Sequence, residues 1–209
     1  MALLVFELMK IILVRHGRPE IDLTALNKDW VTANEFGQVV SAYQQSDLAD
    51  DEQPPADVVQ VAATCQVFVS STLRRAVSSC EALGVSKVSH ADPVFDEASM
   101  PFANWKFVRL PIGVWSVLFR IGWMMGFHQN AERVRDIGNR AHKAAQSLVD
   151  QAQQHGDVML IGHGIINRMI ANHLANNHWR MMSSNGDDYW SFTVYEDHLS
   201  TQDEAPLRL

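Results

Sequence analysis

Cysteine is scarce in this chain: Cys65 and Cys80 are the only two in 209 residues. One possible pair cannot build a disulfide framework. Neither residue sits in a Cys-x-x-Cys pair or beside a histidine cluster, so a reduced, cytoplasmic setting is expected and both read as small packing residues. Cations are in the minority, with 17 Lys and Arg against 24 Asp and Glu and a formal net charge of -7. That balance excludes nucleic acid as a general partner and still leaves room for a local basic pocket. Repeats and low-complexity tracts are missing. The apolar N-terminus MALLVFELMK has neither a basic leading region nor a small-residue cleavage site, which argues against a secretory signal peptide. The first eight residues read either as an extension of the strand that follows or as the product of an alternative translation start. An unbroken membrane-length apolar run is also lacking. FVRLPIGVWSVLFRIGWMMGF (107–127) comes nearest, but Arg109 and Arg120 are costly at membrane depth and Pro111, Gly113, Gly122 and Gly126 interrupt it. Two readings stay open for this segment: a buried helix or lid over a site, and a surface in peripheral contact with a membrane or a partner.

What is present is an ordinary globular composition, 47% hydrophobic and 20% charged, in a length that suits one domain over 1–209. KIILVR (10–15), CQVFVSS (65–71) and DVMLIG (157–162) are short continuous apolar runs, the pattern of strands buried on both faces. VSKVSH (85–90) reads as a shorter strand and YWSFTVYE (189–196) as the last one. Helical spacing of apolar residues runs from Thr32 to Leu48, after Thr72 as far as Gly84, from about Glu132 to Gln154, and again after Gly164. DDEQPPAD (50–57) is a polar loop, and the tail after Glu196 is polar and loose. Strands alternating with helices predict an α/β fold with a mostly parallel central sheet. A hydrophobic cap or insertion is expected at about 98–130.

Two strand ends are alike: IILVRHG places His16 before Gly17, and VMLIGHG places His163 before Gly164. Ligands of open parallel sheets gather beyond the carboxyl ends of the strands, so both imidazoles are expected in one crevice. A third end, VFVSSTLRRA, brings Ser70, Ser71, Arg74 and Arg75 to the same edge if its strand is parallel. Arginine forks with two imidazoles make a trap for a tetrahedral oxyanion, and a helix starting near Thr72 adds backbone donors.

LVRHG, SSTLRRA and LIGHGIINR, in this order, resemble the three motifs of the histidine phosphatase superfamily, the phosphoglycerate mutase-like proteins. The resemblance is anchored from about residue 10 to 175. It implies a three-layer α/β/α fold and a metal-independent phosphohydrolase, without cofactor, that acts on a small phosphorylated substrate. His16 would be the nucleophile that carries the phosphoryl group. Arg15 and Arg75, with the backbone at Gly17 and Gly164, would hold the phosphate, and His163 would stabilise its charge. The family's acid segment maps onto VFDEASMPFANW, where Glu97 falls on the position of the general acid and Asp96 is its rival. Arg18, Asp22, Arg74 and Arg168 stand as supporting residues around this ring.

The sequence also departs from the pattern. Pro19 and Asp22 occupy positions where the family usually has a hydroxyl residue and an asparagine, which would set a carboxylate near the pocket, with Arg18 to offset it. Trp115, Phe119, Trp123 and the methionines of the cap point to an apolar or bulky leaving group. His173 and His178 have no carboxylate at ligand spacing, so no metal is expected. The alternatives are a mutase that returns phosphate to its substrate and a non-catalytic module that uses the anion pocket to bind a ligand or partner.

Overall fold

The computed structural model describes residues 9–85 and 90–198. In chain order the strands are β1 (Lys10–Arg15), β2 (Trp30–Thr32), β3 (Val67–Ser70), β4 (His90–Ala91), β5 (Arg109–Pro111), β6 (Val158–Gly162), β7 (Trp179–Ser184) and β8 (Phe192–Asp197). The helices among the described residues are α1 (Ala33–Gln45), α2 (Ala56–Ala62), α3 (Arg74–Ala82), α4 (Ile112–Met124), α5 (Val134–His155) and α6 (Gly164–Ala175).

The main sheet has the order β4-β3-β6-β1-β8-β7. β4, β3, β6 and β1 are parallel, while β8 runs antiparallel to β1, and β7 to β8. The apolar runs make this sheet because their residues alternate between two buried faces. Ile11, Leu13, Val69, Val158 and Leu160 pack on α5 and α6 through Ala141, Leu148, Ile166 and Ile170. Ile12, Val14, Met159 and Ile161 pack on the other side against Val58 of α2 and Ala76 and Cys80 of α3. The result is three layers, α/β/α, with both faces covered as a parallel sheet requires. Truncating a fully buried side chain such as Leu160 or Leu148 in these layers would cost about 2–5 kcal/mol.

A third cluster stands beside the sheet. Phe36 and Val40 of α1, Ala103, and Ile112, Trp115 and Phe119 of α4 pack together, with β2 and β5 paired antiparallel beneath. Thr32 begins α1 through a capping box with Glu35. Trp115 is tied by its Nε1 to the Val31 carbonyl at 2.9 Å.

Several expectations change in detail. The segment 107–127 splits into β5 and α4. Trp115 and Phe119 are buried within the cap and Trp123 against Ala98 and Ile137, rather than turned toward a ligand, while Met100 of the same segment lines a cavity. The polar loop at 50–57 is shorter than its composition implies, because Pro55 starts α2 at Ala56, a position where a missing N–H costs nothing. The last strand begins at Phe192, not 189: Trp190 takes a left-handed φ of 61°, which ends any extended run there. β7, an exposed edge strand after a left-handed His178, has no apolar alternation to announce it. Residues 86–89 of the expected strand, the first eight residues and the tail from 199 lie outside the described residues, leaving β4 as the strand's described end. No described helix is long and apolar enough to cross a membrane.

Candidate active site

The carboxyl ends of β1, β3 and β6 lie side by side, with Arg15 opposite Gly162 and Ser70 opposite Ile161. His16 and His163 follow their strands directly and their ring centroids are 4.9 Å apart. Arg75, on the first turn of α3, reaches His16: its Nε donates to His16 Nε2 at 3.2 Å. The three expected segments therefore meet in one place, and His16, Arg75 and His163 are essentially closed off from bulk solvent.

Each group is oriented by its neighbours. His16 Nδ1 donates to the Gly17 carbonyl at 2.6 Å. With Nδ1 protonated, Nε2 keeps its lone pair and accepts from Arg75. Burial, then the charge of Arg75, with a smaller push from Arg15, hold the imidazole down at about 3 against the opposing pull of the Gly17 carbonyl. Gly17 is needed for close approach: a Cβ there would lie 2.6 Å from Trp190 Nε1 and 2.7 Å from Leu48 Cδ1. Its amide donates to Ser79 Oγ at 3.0 Å, so it serves the turn and not an anion.

Arg75 Nη1 donates to the carbonyls of Tyr43 (3.1 Å) and Gln44 (3.2 Å), in the last turn of α1 where a cation is favoured. Its guanidinium carbon lies 4.6 Å from the centre of the Tyr43 ring. Arg15 donates through Nη1 to the Asp187 carbonyl at 2.7 Å and stacks over Tyr189 at 4.4 Å. His163 Nε2 lies 2.8 Å from Ser71 Oγ, and Ser71 Oγ donates to Asp96 Oδ1 at 2.7 Å. A carboxylate only accepts, so the serine spends its proton on Asp96 and receives one from His163, leaving Nδ1 bare. Burial foremost, then the charges of His16, Arg75 and Arg15, keep His163 well below the usual histidine range. Arg15 Nε, Arg75 Nη2 and His163 Nδ1 are buried without a hydrogen-bond partner among the described residues. Arg15 Nε and Arg75 Nη2 are donors, each left unsatisfied at a cost of about 1–3 kcal/mol that an oxyanion in the crevice would recover, whereas the bare His163 Nδ1 is an acceptor and can bind an anion only once protonated.

A cavity of about 590 Å³ opens beside the crevice, lined among others by Arg15, Tyr43, Glu97, Arg120, Gly164 and Arg168. Glu97 accepts from the α6 amides of Ile165 and Ile166, each at 3.2 Å, and from Ala98 at 2.9 Å. A Cβ on Gly164 would stand 3.9 Å from Arg15 Nε and 4.0 Å from Glu97 Oε2, so cation and carboxylate flank the start of α6. Asp96, by contrast, is held by Ser71, the Thr72 amide (2.8 Å) and the Thr72 hydroxyl (2.9 Å). It braces the turn between β3 and α3.

The supporting residues fall in different places. Asp22 accepts from Tyr189 Oη at 3.2 Å and from the Thr24 amide at 2.9 Å. Arg18 pairs with Asp51 (2.6 Å) and Glu52 (3.2 Å), and the charge of Asp22 acts on it more weakly than these two. Arg74 is exposed. Arg168 lines the cavity and pairs with Asp187 at 3.1 Å. Sequence reasoning missed the loop 185–191, which brings the Asp187 carbonyl and the Tyr189 ring to Arg15 and seats Trp190 on Gly17. It also missed Tyr43, whose helix lies far from any motif.

Fold and crevice together define an α/β protein with two imidazoles and two arginines gathered at the carboxyl edge of parallel strands. The family model for the histidine phosphatase superfamily (branch 1) matches residues 56–200, and the chain belongs to that superfamily. The matched span includes Arg75 and His163 and begins after His16. Among solved structures, the product of a Mycobacterium tuberculosis open reading frame is similar with a TM-score of 0.58 and 14% identity, covering 89% of this chain and 90% of that one. A mycobacterial glucosyl-3-phosphoglycerate phosphatase gives 0.56 and 17% over 89% and 92%. A phosphoserine phosphatase from Entamoeba histolytica gives 0.51 and 15% over 88% and 89%. At these identities the likeness is one of fold. No curated protein matches the chain.

Proposed function

We propose that the protein hydrolyses the phosphomonoester of a small molecule through a phosphohistidine at His16, without metal or cofactor. One observation carries the reading: His16 Nδ1 is locked on the Gly17 carbonyl, which leaves Nε2 its lone pair, while Arg15 Nε and Arg75 Nη2 are buried donors with no partner among the described residues. Membership of a phosphatase superfamily supports it.

In the first step the Nε2 lone pair of His16 attacks phosphorus and the bond to the ester oxygen breaks. The departing alcohol takes a proton from Glu97. In the second step water attacks phosphorus, Glu97 takes a proton from that water, and the N–P bond electrons return to His16. Arg75 releases His16 Nε2 and, with Arg15, turns its donors to the phosphoryl oxygens, whose charge fixed cations stabilise. His163 takes up a proton as the anion arrives and donates through Nδ1, because the negative charge outweighs the burial that otherwise keeps the ring neutral. Ser71 and Asp96 hold the Nε2 proton of that imidazolium. Glu97, which lines the cavity, fits the role of general acid better than Asp96, which is spent on the turn. The leaving group faces Arg120 and Arg168 as well as Thr24, Asn27 and Ser116. Leu23, Val40, Met100 and Ile165 line the same cavity, so an alcohol that combines a polar or acidic group with an apolar part fits it best.

Phosphate release from a panel of sugar, amino-acid, nucleotide and lipid-like monoesters tests this, with His16→Ala alongside. Hydrolysis by the wild type and a loss of roughly three orders of magnitude in the variant are expected. Equal turnover by both would refute it, and isomerisation of the substrate in place of phosphate release would replace hydrolysis with a mutase reaction.

A further inference from the structure

Helix α4 carries two apolar faces, with Ser116 and Arg120 between them on the cavity side, and only one of the two is covered. Ile112, Trp115, Phe119 and Trp123 are buried in the cap. Val114, Val117, Leu118, Ile121 and Met124 recur at spacings of three and four on the opposite face, continued by Met125, and all are exposed. Ile121 is 50% exposed, Met124 77% and Met125 83%. Phe107 (80%), Trp105 and Trp30 extend the patch at the N-terminal end of the helix. An apolar patch of this kind, left uncovered opposite a buried face, marks a contact surface.

Charge decides which contact. The chain carries -7 overall, yet no Asp or Glu lies between Glu97 and Glu132; of the cations in that span Lys106 and Arg109 stand at the surface, while Arg120 faces the cavity. Lys106 and Arg109 are exposed beside Phe107, and Arg109 retains that exposure while sitting 3.5 Å from Glu35 of α1. Apolar stripe, aromatic rim and flanking cations are the composition of a helix that lies in the interface of an anionic bilayer. The length agrees, since 13 residues span about 20 Å, too short to cross a core of about 30 Å. A second copy of the chain fits less well, because a symmetric contact through α4 would bring both sets of cations together.

We propose that the outer face of α4, with Phe107, Lys106 and Arg109, docks the protein on a membrane surface rich in anionic lipid. The full chain is cosedimented with phosphatidylcholine vesicles with and without phosphatidylglycerol, at low and high salt. Binding to the anionic vesicles only, weakened by salt, is expected. Val117→Glu with Ile121→Glu should abolish it, and Lys106→Gln with Arg109→Gln should weaken it about 30-fold. The glutamates sit on the exposed face, so an unchanged circular dichroism spectrum and Tm confirm the fold. His16→Ala must bind as the wild type does, so the result stands apart from the phosphatase reading. Absence of vesicle binding overturns the proposal, as does binding that survives the double glutamate variant. A concentration-dependent dimer that Ile121→Glu dissolves, without vesicle binding, overturns it in favour of a second copy.

Discussion

Acid should destabilise this protein through the buried His16. His16 is held near pKa 3 in the fold, chiefly by burial, against about 6.5 in the unfolded chain. Above pH 6.5 the ring is neutral in both states and contributes nothing. Below it, the unfolded chain binds a proton that the folded protein refuses, so stability falls with pH until about pH 3. At pH 4.5 the gap spans two pH units, which at about 1.4 kcal/mol per unit is a loss of about 3 kcal/mol relative to pH 7.5. His163 pushes the same way. Against a typical stability of about 5–15 kcal/mol this is a large share. Urea unfolding at pH 7.5 and 4.5 measures it, on wild type and on His16→Gln, which keeps a buried polar side chain but cannot titrate. The wild type should lose about 3 kcal/mol more than the variant between the two pH values, roughly 1–2 M in urea midpoint. Vanadate or phosphate should shrink the difference, because an anion lets the imidazoles take up protons. Identical pH dependence in the two proteins would refute the claim that His16 is kept neutral by its surroundings.

Other perturbations probe the neighbours. Ser71→Ala cuts the link from His163 to Asp96 and should lower kcat by about 10–100-fold with a smaller change in KM, and shift the acid limb of the pH profile; steady-state kinetics across pH checks this. Gly17→Ala drives a Cβ into Trp190 and Leu48 and should cost about 1–3 kcal/mol in urea unfolding. Burial pushes both thiols up to about 12, so Cys65 and Cys80 should resist a disulfide reagent at pH 8 in the native protein and react once unfolded in urea.

The parallel half of the sheet was legible because continuous apolar runs such as IILV and VMLI have few other uses at strand length. The shared edge of the candidate site followed from topology: parallel strands bring their carboxyl ends together, so His16, Arg75 and His163 had to share one end. Of the antiparallel half, β8 was legible in the run 189–196 and β7 was hidden. β7 carries Arg180, Met181, Met182 and two serines on an exposed edge and offers no buried face to pattern. Tyr189 and Trp190 looked like strand residues because aromatics favour sheets, yet they serve Arg15 and Gly17 from a loop. The cap misled in another way. Its aromatic residues signalled a pocket wall, but they bury one another, as Trp115 and Phe119 do with rings 5.2 Å apart. The cavity receives the less conspicuous Ser116 and Arg120 instead.

The most direct measurement is rapid-quench mass spectrometry under alkaline conditions during turnover of a hydrolysed ester. A phosphoryl group on His16, formed and consumed at rates that match turnover and missing from His16→Ala, is the predicted result. Turnover with no labelled residue, or with the label on His163 or any other side chain, would contradict the account.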